Sequence, residues 1–317
     1  MPRSTAFVPT ALRAADAISP ALAGGVAYRL FFRTRPRMPL RAQDRATDLA
    51  ARRELLRVRG RDIVTYRWGD GDRTVLVIHG WKGRATQFAP LVRELVAAGL
   101  RVVSFDAPAH GESHGSSTDV RDWMAAIEGI QNRFGPFAAI VGHSVGAVAG
   151  LTAARTFVRT PVVVTISGAA GPFAMIDQFA LMMGLSDPAR DRLAHLFAAR
   201  IGESPASIVE LFDSAAHPLP EHTSLLVVHS RDDRGLPDAD SVRLHRAHAG
   251  RSRMLRPTGL GHNRTLADDD VLDAVVDIVT RGGHRTDDDA PAARTGGTGG
   301  ERTNGRTSIP HSALPIA

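Results

Sequence analysis

A mostly parallel α/β sheet with helices on both faces is what this sequence predicts, and three observations carry that reading. Short apolar, β-branched runs alternate with helical patterns across residues 54–282. Several of those runs are apolar at every position, as strands covered on both faces must be. Serine, aspartate and histidine then recur in the loops that leave them, at the edge where such sheets collect their ligands.

The elements come in order along the chain. Residues 1–50 read as one or two short helices, with "ALAGGVAYRLFFRTRPR" ending in a basic stretch, and form an N-terminal helical basic arm. In "ELLRVRGRDIVTYRWGDGDRTVLVIHG", two alternating runs around Arg-Gly predict a hairpin, and the Asp-Gly-Asp turn leads into a buried strand over 75–78. Phe88, Leu91, Val92, Leu95 and Val96 then mark one stripe of a helix. A strand over 101–105, a helix over 119–134, a strand over 137–141, a helix over 145–158 and a strand over 162–166 continue the alternation, so 51–170 is the first part of the core. The alternation lapses over 171–223, which reads as three helices forming a small cap. Within it, Asp187-Pro188 and Ser204-Pro205 resemble N-caps with proline at the first helical position. The strand "LLVVHS", a helix over 238–248, the strand "RMLRP" and a helix over 268–280 complete the core within 224–282. Residues 283–317 are rich in Gly, Thr, Arg and Pro without apolar periodicity and are expected to be a disordered tail.

Composition removes whole classes of chemistry. With no cysteine among 317 residues, disulfides, cysteine nucleophiles and thiolate metal sites are excluded. The net charge of +6 is lopsided: residues 1–61 hold 13 arginines against Asp16, Asp44, Asp48 and Glu54, leaving a slightly acidic body. That balance does not describe a nucleic-acid-binding protein. The arm could instead meet an anionic membrane surface through Arg33, Arg35 and Arg37, although packing on the body is the simpler expectation. The apolar stretch over 11–32 is interrupted by Arg13, Asp16, Pro20 and Arg29, which suits neither a spanning helix nor a signal peptide, so a cytoplasmic location is expected. No H-x-x-x-H or H-x-E pattern supports a metal, and no cofactor is expected.

"IVGHSVGAV" carries the chemistry. Gly142-His143-Ser144-Val145-Gly146 fits G-x-S-x-G between a predicted strand and a predicted helix. A sharp strand-to-helix turn would lift the hydroxyl above the sheet, and the helix N-terminus would supply free N–H groups. The same residues also fit an ordinary helix cap beside a packed glycine. Two downstream loops decide between them. "VVHSRDDRGLP" sets Asp232 and Asp233 after one strand, and "GLGHNRTL" sets His262 after the next. A serine, an acid and a histidine in that order supply a nucleophile, an orienting carboxylate and a general base.

With those residues in place, the chain resembles the α/β-hydrolase family over residues 54–282. Two further stretches match: "VIHGWKG", and "FDAPAHGES", whose Asp106, Pro108, His110, Gly111 and Ser113 fit the family's structural rim loop. The resemblance implies oxyanion-hole N–H groups from Trp81 and Val145. It also aligns Asp233 through Pro237 with the family's acid loop, favouring Asp233 over Asp232 as the acid. Ala147 stands where many relatives have a second glycine. His79, His143 and His229 are expected to be structural or packed. Lys82 and Arg84 could face an anionic part of a substrate, but a solvated loop is the simpler expectation.

The implied activity is hydrolysis of a carboxylic ester, or a related acyl compound, through an acyl-enzyme on Ser144 with His262 as base. A thioesterase or acyltransferase would use the same residues. A catalytically silent binding module on this fold is the rival from another class. The expected partner is a small acyl molecule, received by apolar cap residues including Met175, Phe179, Met182, Phe197 and Phe212, with short or medium chains favoured because the cap is small.

Overall fold

The computed structural model describes residues 7–283. The region expected to be a disordered tail lies, but for Gly283, outside them. Helices α1 (Phe7–Ile18) and α2 (Pro20–Phe31) come first, with Ser19 capping α2 through a hydrogen bond from the Leu22 N–H. After the one-turn helix α3 (Arg45–Leu49), strands β1 (Arg52–Val58) and β2 (Arg61–Trp68) form the expected hairpin. Next come β3 (Thr74–Ile78), α4 (Ala89–Ala97), β4 (Arg101–Phe105), α5 (Val120–Phe134), β5 (Phe137–His143), α6 (Val145–Thr156) and β6 (Val162–Ile166). Three consecutive helices come after β6, namely α7 (Pro172–Met183), α8 (Asp187–Ile201) and α9 (Pro205–Phe212). The chain closes with β7 (Ser224–Val228), α10 (Ala239–Ala247), β8 (Ser252–Leu255), the single turn α11 (Gly261–Arg264) and α12 (Asp269–Arg281).

All eight strands form one sheet in the order β1-β2-β4-β3-β5-β6-β7-β8. Only β1–β2 and β2–β4 pair antiparallel; every other pair is parallel. Strand periodicity splits the core in two. Leu76 and Ile78 of β3 join a cluster with α5 and α6, whereas Val75 and Val77 join one with α4 and α12. Because β3 and β5 are neighbours whose following helices lie on opposite faces, a crevice opens between their C-terminal ends.

Some boundaries differ for local reasons. The cap of α8 is Ser186 rather than Asp187, which already has helical geometry, so Pro188 occupies the second position; Ser204 caps α9 as its sequence suggests. Strand β5 runs two residues beyond its apolar run, because Gly142 and His143 still pair with Thr165 and Ile166.

Candidate active site

Ser144 sits where β5 becomes α6, with φ 54° and ψ −122°. Such a backbone is costly for any residue but glycine, so the frame around it must impose it. Two glycines supply that frame. A Cβ on Gly142 would stand 2.5 Å from the Ala147 Cα, and one on Gly146 would stand 2.3 Å from the Ile78 carbonyl oxygen. Ala147 fits at the elbow because its neighbour is small: a Cβ on Gly168 would lie 2.6 Å from the Ala147 Cβ. The Ser144 N–H donates to the Ile166 carbonyl at 3.1 Å, tying the elbow to β6. As the first residue of α6, Val145 has an N–H without an intrahelical acceptor, available to an oxyanion.

His262 projects from α11, after β8, and Asp233 from the loop after β7. The His262 Nδ1 donates to the Asp233 Oδ2 at 2.7 Å, leaving Nε2 for chemistry; the imidazole is one-quarter exposed and the carboxylate fully buried. Burial alone would raise the Asp233 pKa. Hydrogen bonds from His229 and His262, the attraction of the His262 ring in its protonated form and the Leu236 N–H overrule it and hold the carboxyl well below the usual range. Its Oδ1 accepts from the Gly235 and Leu236 N–H groups at 2.8 and 3.0 Å. Asp232 points elsewhere. It accepts from the Ser230 hydroxyl at 2.5 Å and the Gly259 N–H at 2.9 Å, bracing the loop that carries His262.

The other histidines are frame. His143 donates from Nε2 to the His262 carbonyl at 3.0 Å and accepts from the Gln87 amide at 3.1 Å, so the residue before Ser144 helps to place the His262 loop. Burial, aided by the nearby His262, lowers its pKa to about 3. His79 accepts from the Ala107 N–H at 3.0 Å, and burial lowers its pKa to about 4. His229 is packed, as expected, but packed against the acid: its Nε2 lies 3.2 Å from the Asp233 Oδ2. Asp106 accepts from the Tyr66 hydroxyl and the Ala85 and Glu112 N–H groups at 2.8, 2.7 and 2.7 Å, knotting the rim loop to β2.

Two cavities meet at Ser144 and His262. The first, about 350 Å³, is walled by Leu30, Phe31 and Phe32 of the arm, Val145 and Val148 of α6, and Met175, Phe179, Met182, Phe197 and Phe212 of α7–α9. The second, about 360 Å³, is lined by Arg37, Met38, Gln87, His143 and Asn263 among others. Trp81 and Lys82 border both. Nothing in the sequence pointed to the arm as a cavity wall. The Phe32 ring lies 6.1 Å from the Trp81 indole, whose N–H donates to the Arg33 carbonyl at 3.0 Å. Arg84 departs from the solvated-loop expectation: it is buried and ion-paired with Glu112 at 3.1 Å and Asp48 at 3.5 Å. Lys82 is half-buried. Among the described residues, no cluster of three or more His, Asp or Glu could hold a metal ion, and no helix is long and apolar enough to cross a membrane.

The model of the Alpha/beta hydrolase family matches residues 75–297. No curated protein matches the chain. Among solved structures, an esterase of Pyrococcus furiosus superposes with a TM-score of 0.58 at 14% identity, covering 80% of this chain and 98% of its own. A monoacylglycerol lipase of Paleococcus ferrophilus gives 0.54 at 20% identity, covering 70% and 99%. A thioesterase domain from the curacin biosynthetic pathway gives 0.54 at 16% identity, covering 73% and 99%. At these identities the likeness is one of fold.

Proposed function

This chain belongs to the alpha/beta hydrolase family, a hydrolase by that membership, and from that premise we propose that it cleaves a carboxylic ester or related acyl compound through an acyl-enzyme on Ser144. One observation carries the reading. A serine held in a strained elbow shares its cavities with a histidine whose far nitrogen is bonded to a buried carboxylate. In the proposed reaction the His262 Nε2 takes the Ser144 proton as Oγ attacks the acyl carbon, and the Asp233 carboxylate stabilises the imidazolium that forms. The N–H groups of Val145 and Trp81 receive the oxyanion. His262 then protonates the leaving atom, and water activated by the same imidazole releases the acid.

The apolar wall supports acyl chains of short or medium length in the first cavity, with the leaving group on the side of the second. Helices α7–α9 act in this reading as a cap, with α2 completing the wall. Labelling by a fluorophosphonate probe tests the nucleophile. Wild type should be labelled and the Ser144→Ala variant should not; labelling of neither, with no turnover of p-nitrophenyl butyrate, defeats the reading in favour of a binding module.

A further inference from the structure

The cations around the cleft divide sharply by what they already hold. Arg84 is ion-paired with Asp48 and Glu112. The Arg37 guanidinium donates to the carbonyls of Gly111, Ser113 and Gly115 at 2.9–3.1 Å. Arg200 lies over the Phe32 ring, 4.4 Å from its centroid, with Asp119 at 3.5 Å. Lys82 and Arg33 are left, and among the described residues neither has a carboxylate partner. Both line the apolar cavity that holds Ser144, and Lys82 lines the second cavity as well.

Hydrogen bonds to their main-chain carbonyls tie both residues to the rim of the site. The Arg33 carbonyl accepts from the Trp81 indole at 3.0 Å, and the Lys82 carbonyl accepts from the Met38 N–H at 2.9 Å. Both backbones are thereby anchored beside Trp81, with the half-buried Lys82 and the exposed Arg33 each offering a cationic side chain to the cavity it lines. Burial, then the neighbouring Arg33 charge, lowers the Lys82 pKa, and an anion between them would relieve the second cause. Composition does not account for the residue either: Lys82 is the only lysine beside 38 arginines.

Resting on the ester-hydrolase reading, we propose that the leaving group carries an anionic group, carboxylate or phosphate, bound between Lys82 and Arg33 while the acyl chain fills the apolar cavity. The anion belongs on the leaving group because Lys82 borders both cavities with Arg33 of the first cavity near it, whereas Met175, Phe179 and Met182 of that cavity offer a charge no partner. The same bonds form and break as for a neutral ester; the leaving oxygen or sulfur departs with a proton from His262.

Matched substrates test this. The carboxylate arm compares 3-hexanoyloxy-4-nitrobenzoate with 2-nitrophenyl hexanoate. The phosphate arm compares hexanoyl-coenzyme A with the hexanoyl thioester of N-acetylcysteamine. The ratio of kcat/KM, charged over neutral, should be about 10 or more in at least one arm at low salt and shrink near about 0.5 M NaCl. The arm that shows it identifies the source of the charge. Lys82→Met and Arg33→Met should each cut the ratio by about 5- to 10-fold, and Lys82→Arg should restore most of it. Ratios near one in both arms, or a ratio unmoved in the double Met variant, overturn the proposal while labelled Ser144 and neutral-ester turnover keep the hydrolase reading. Absence of labelling and of all turnover overturns both.

Discussion

Ser144 occupies a backbone region that costs a non-glycine residue on the order of 1–3 kcal/mol, and the surrounding contacts hold it there. Two substitutions separate that strain from the chemistry. Ser144→Ala should reduce kcat for an ester by about 10⁴-fold or more with near-ultraviolet circular dichroism unchanged. Ser144→Gly should be equally inactive yet more stable than Ser144→Ala by about 1 kcal/mol, because glycine adopts this φ freely. Equal urea midpoints for the two variants would contradict a strained elbow. The acids make a sharper contrast. Asp233 faces the His262 imidazole, whereas Asp232 holds the backbone of Gly259, so Asp233→Asn should cost about 10⁴-fold in kcat and Asp232→Asn far less. A loss confined to the Asp232 variant reverses the assignment.

At the scale of elements, α2 and the α7–α9 helices share one task. Phe31 packs edge-on against Phe179 and Phe197 with centroids 5.3 and 6.2 Å away, and Phe32 stacks on Phe197 at 5.9 Å, so arm and cap close the apolar cavity together. Each methylene buried there contributes up to about 0.8 kcal/mol until the wall is reached. Across acetyl, butyryl, hexanoyl and decanoyl esters, kcat/KM should rise and then fall. Phe179→Ala and Phe32→Ala should each move the maximum to longer chains, and a steady fall from acetyl in wild type would refute an acyl-binding cavity. The strands, the elbow and the order of Ser144, Asp233 and His262 were legible in the sequence because each is a local pattern: an apolar run, then a loop with its own turn chemistry. The arm's contribution was not. Its contacts join Phe32 to Trp81 and Phe197, far along the chain, and an apolar run reads the same whether it meets a neighbouring helix, a cavity or a membrane. His229 and Gln87 were hidden likewise, since their partners Asp233 and His143 are set by the loops and not by spacing.

Over the whole molecule, part of the basic excess of residues 1–61 is spent on the body. Arg59 and Arg61 reach the buried Asp122 at 3.4 and 2.6 Å, and Arg37 donates to the carbonyls of Gly111, Ser113 and Gly115. The histidines distribute their charge in the opposite way. Burial lowers the pKa of His79 to about 4 and those of His110 and His143 to about 3, each from an ordinary 6.5. An unfolded chain protonates all three below its ordinary value, whereas the folded chain keeps them neutral. Unfolding therefore takes up protons from about pH 6.5 down to about 4 for His79 and about 3 for His110 and His143, so their contribution to stability is full above that window and is lost as the pH falls through it. Each group adds up to about 1.4 kcal/mol per pH unit, and the buried Asp233 carboxylate steepens the fall at the acid end. Urea unfolding at closely spaced pH values should show stability dropping with a linkage slope approaching about three protons near pH 5. His110→Asn should lower that slope by about one proton, since the amide can still donate to the Pro108 carbonyl that His110 contacts at 3.0 Å but cannot titrate. A stability independent of pH between 7 and 5 would mean that these imidazoles are charged or solvated in the native state, and the packing around His79, His110 and Trp123 could not then be as described.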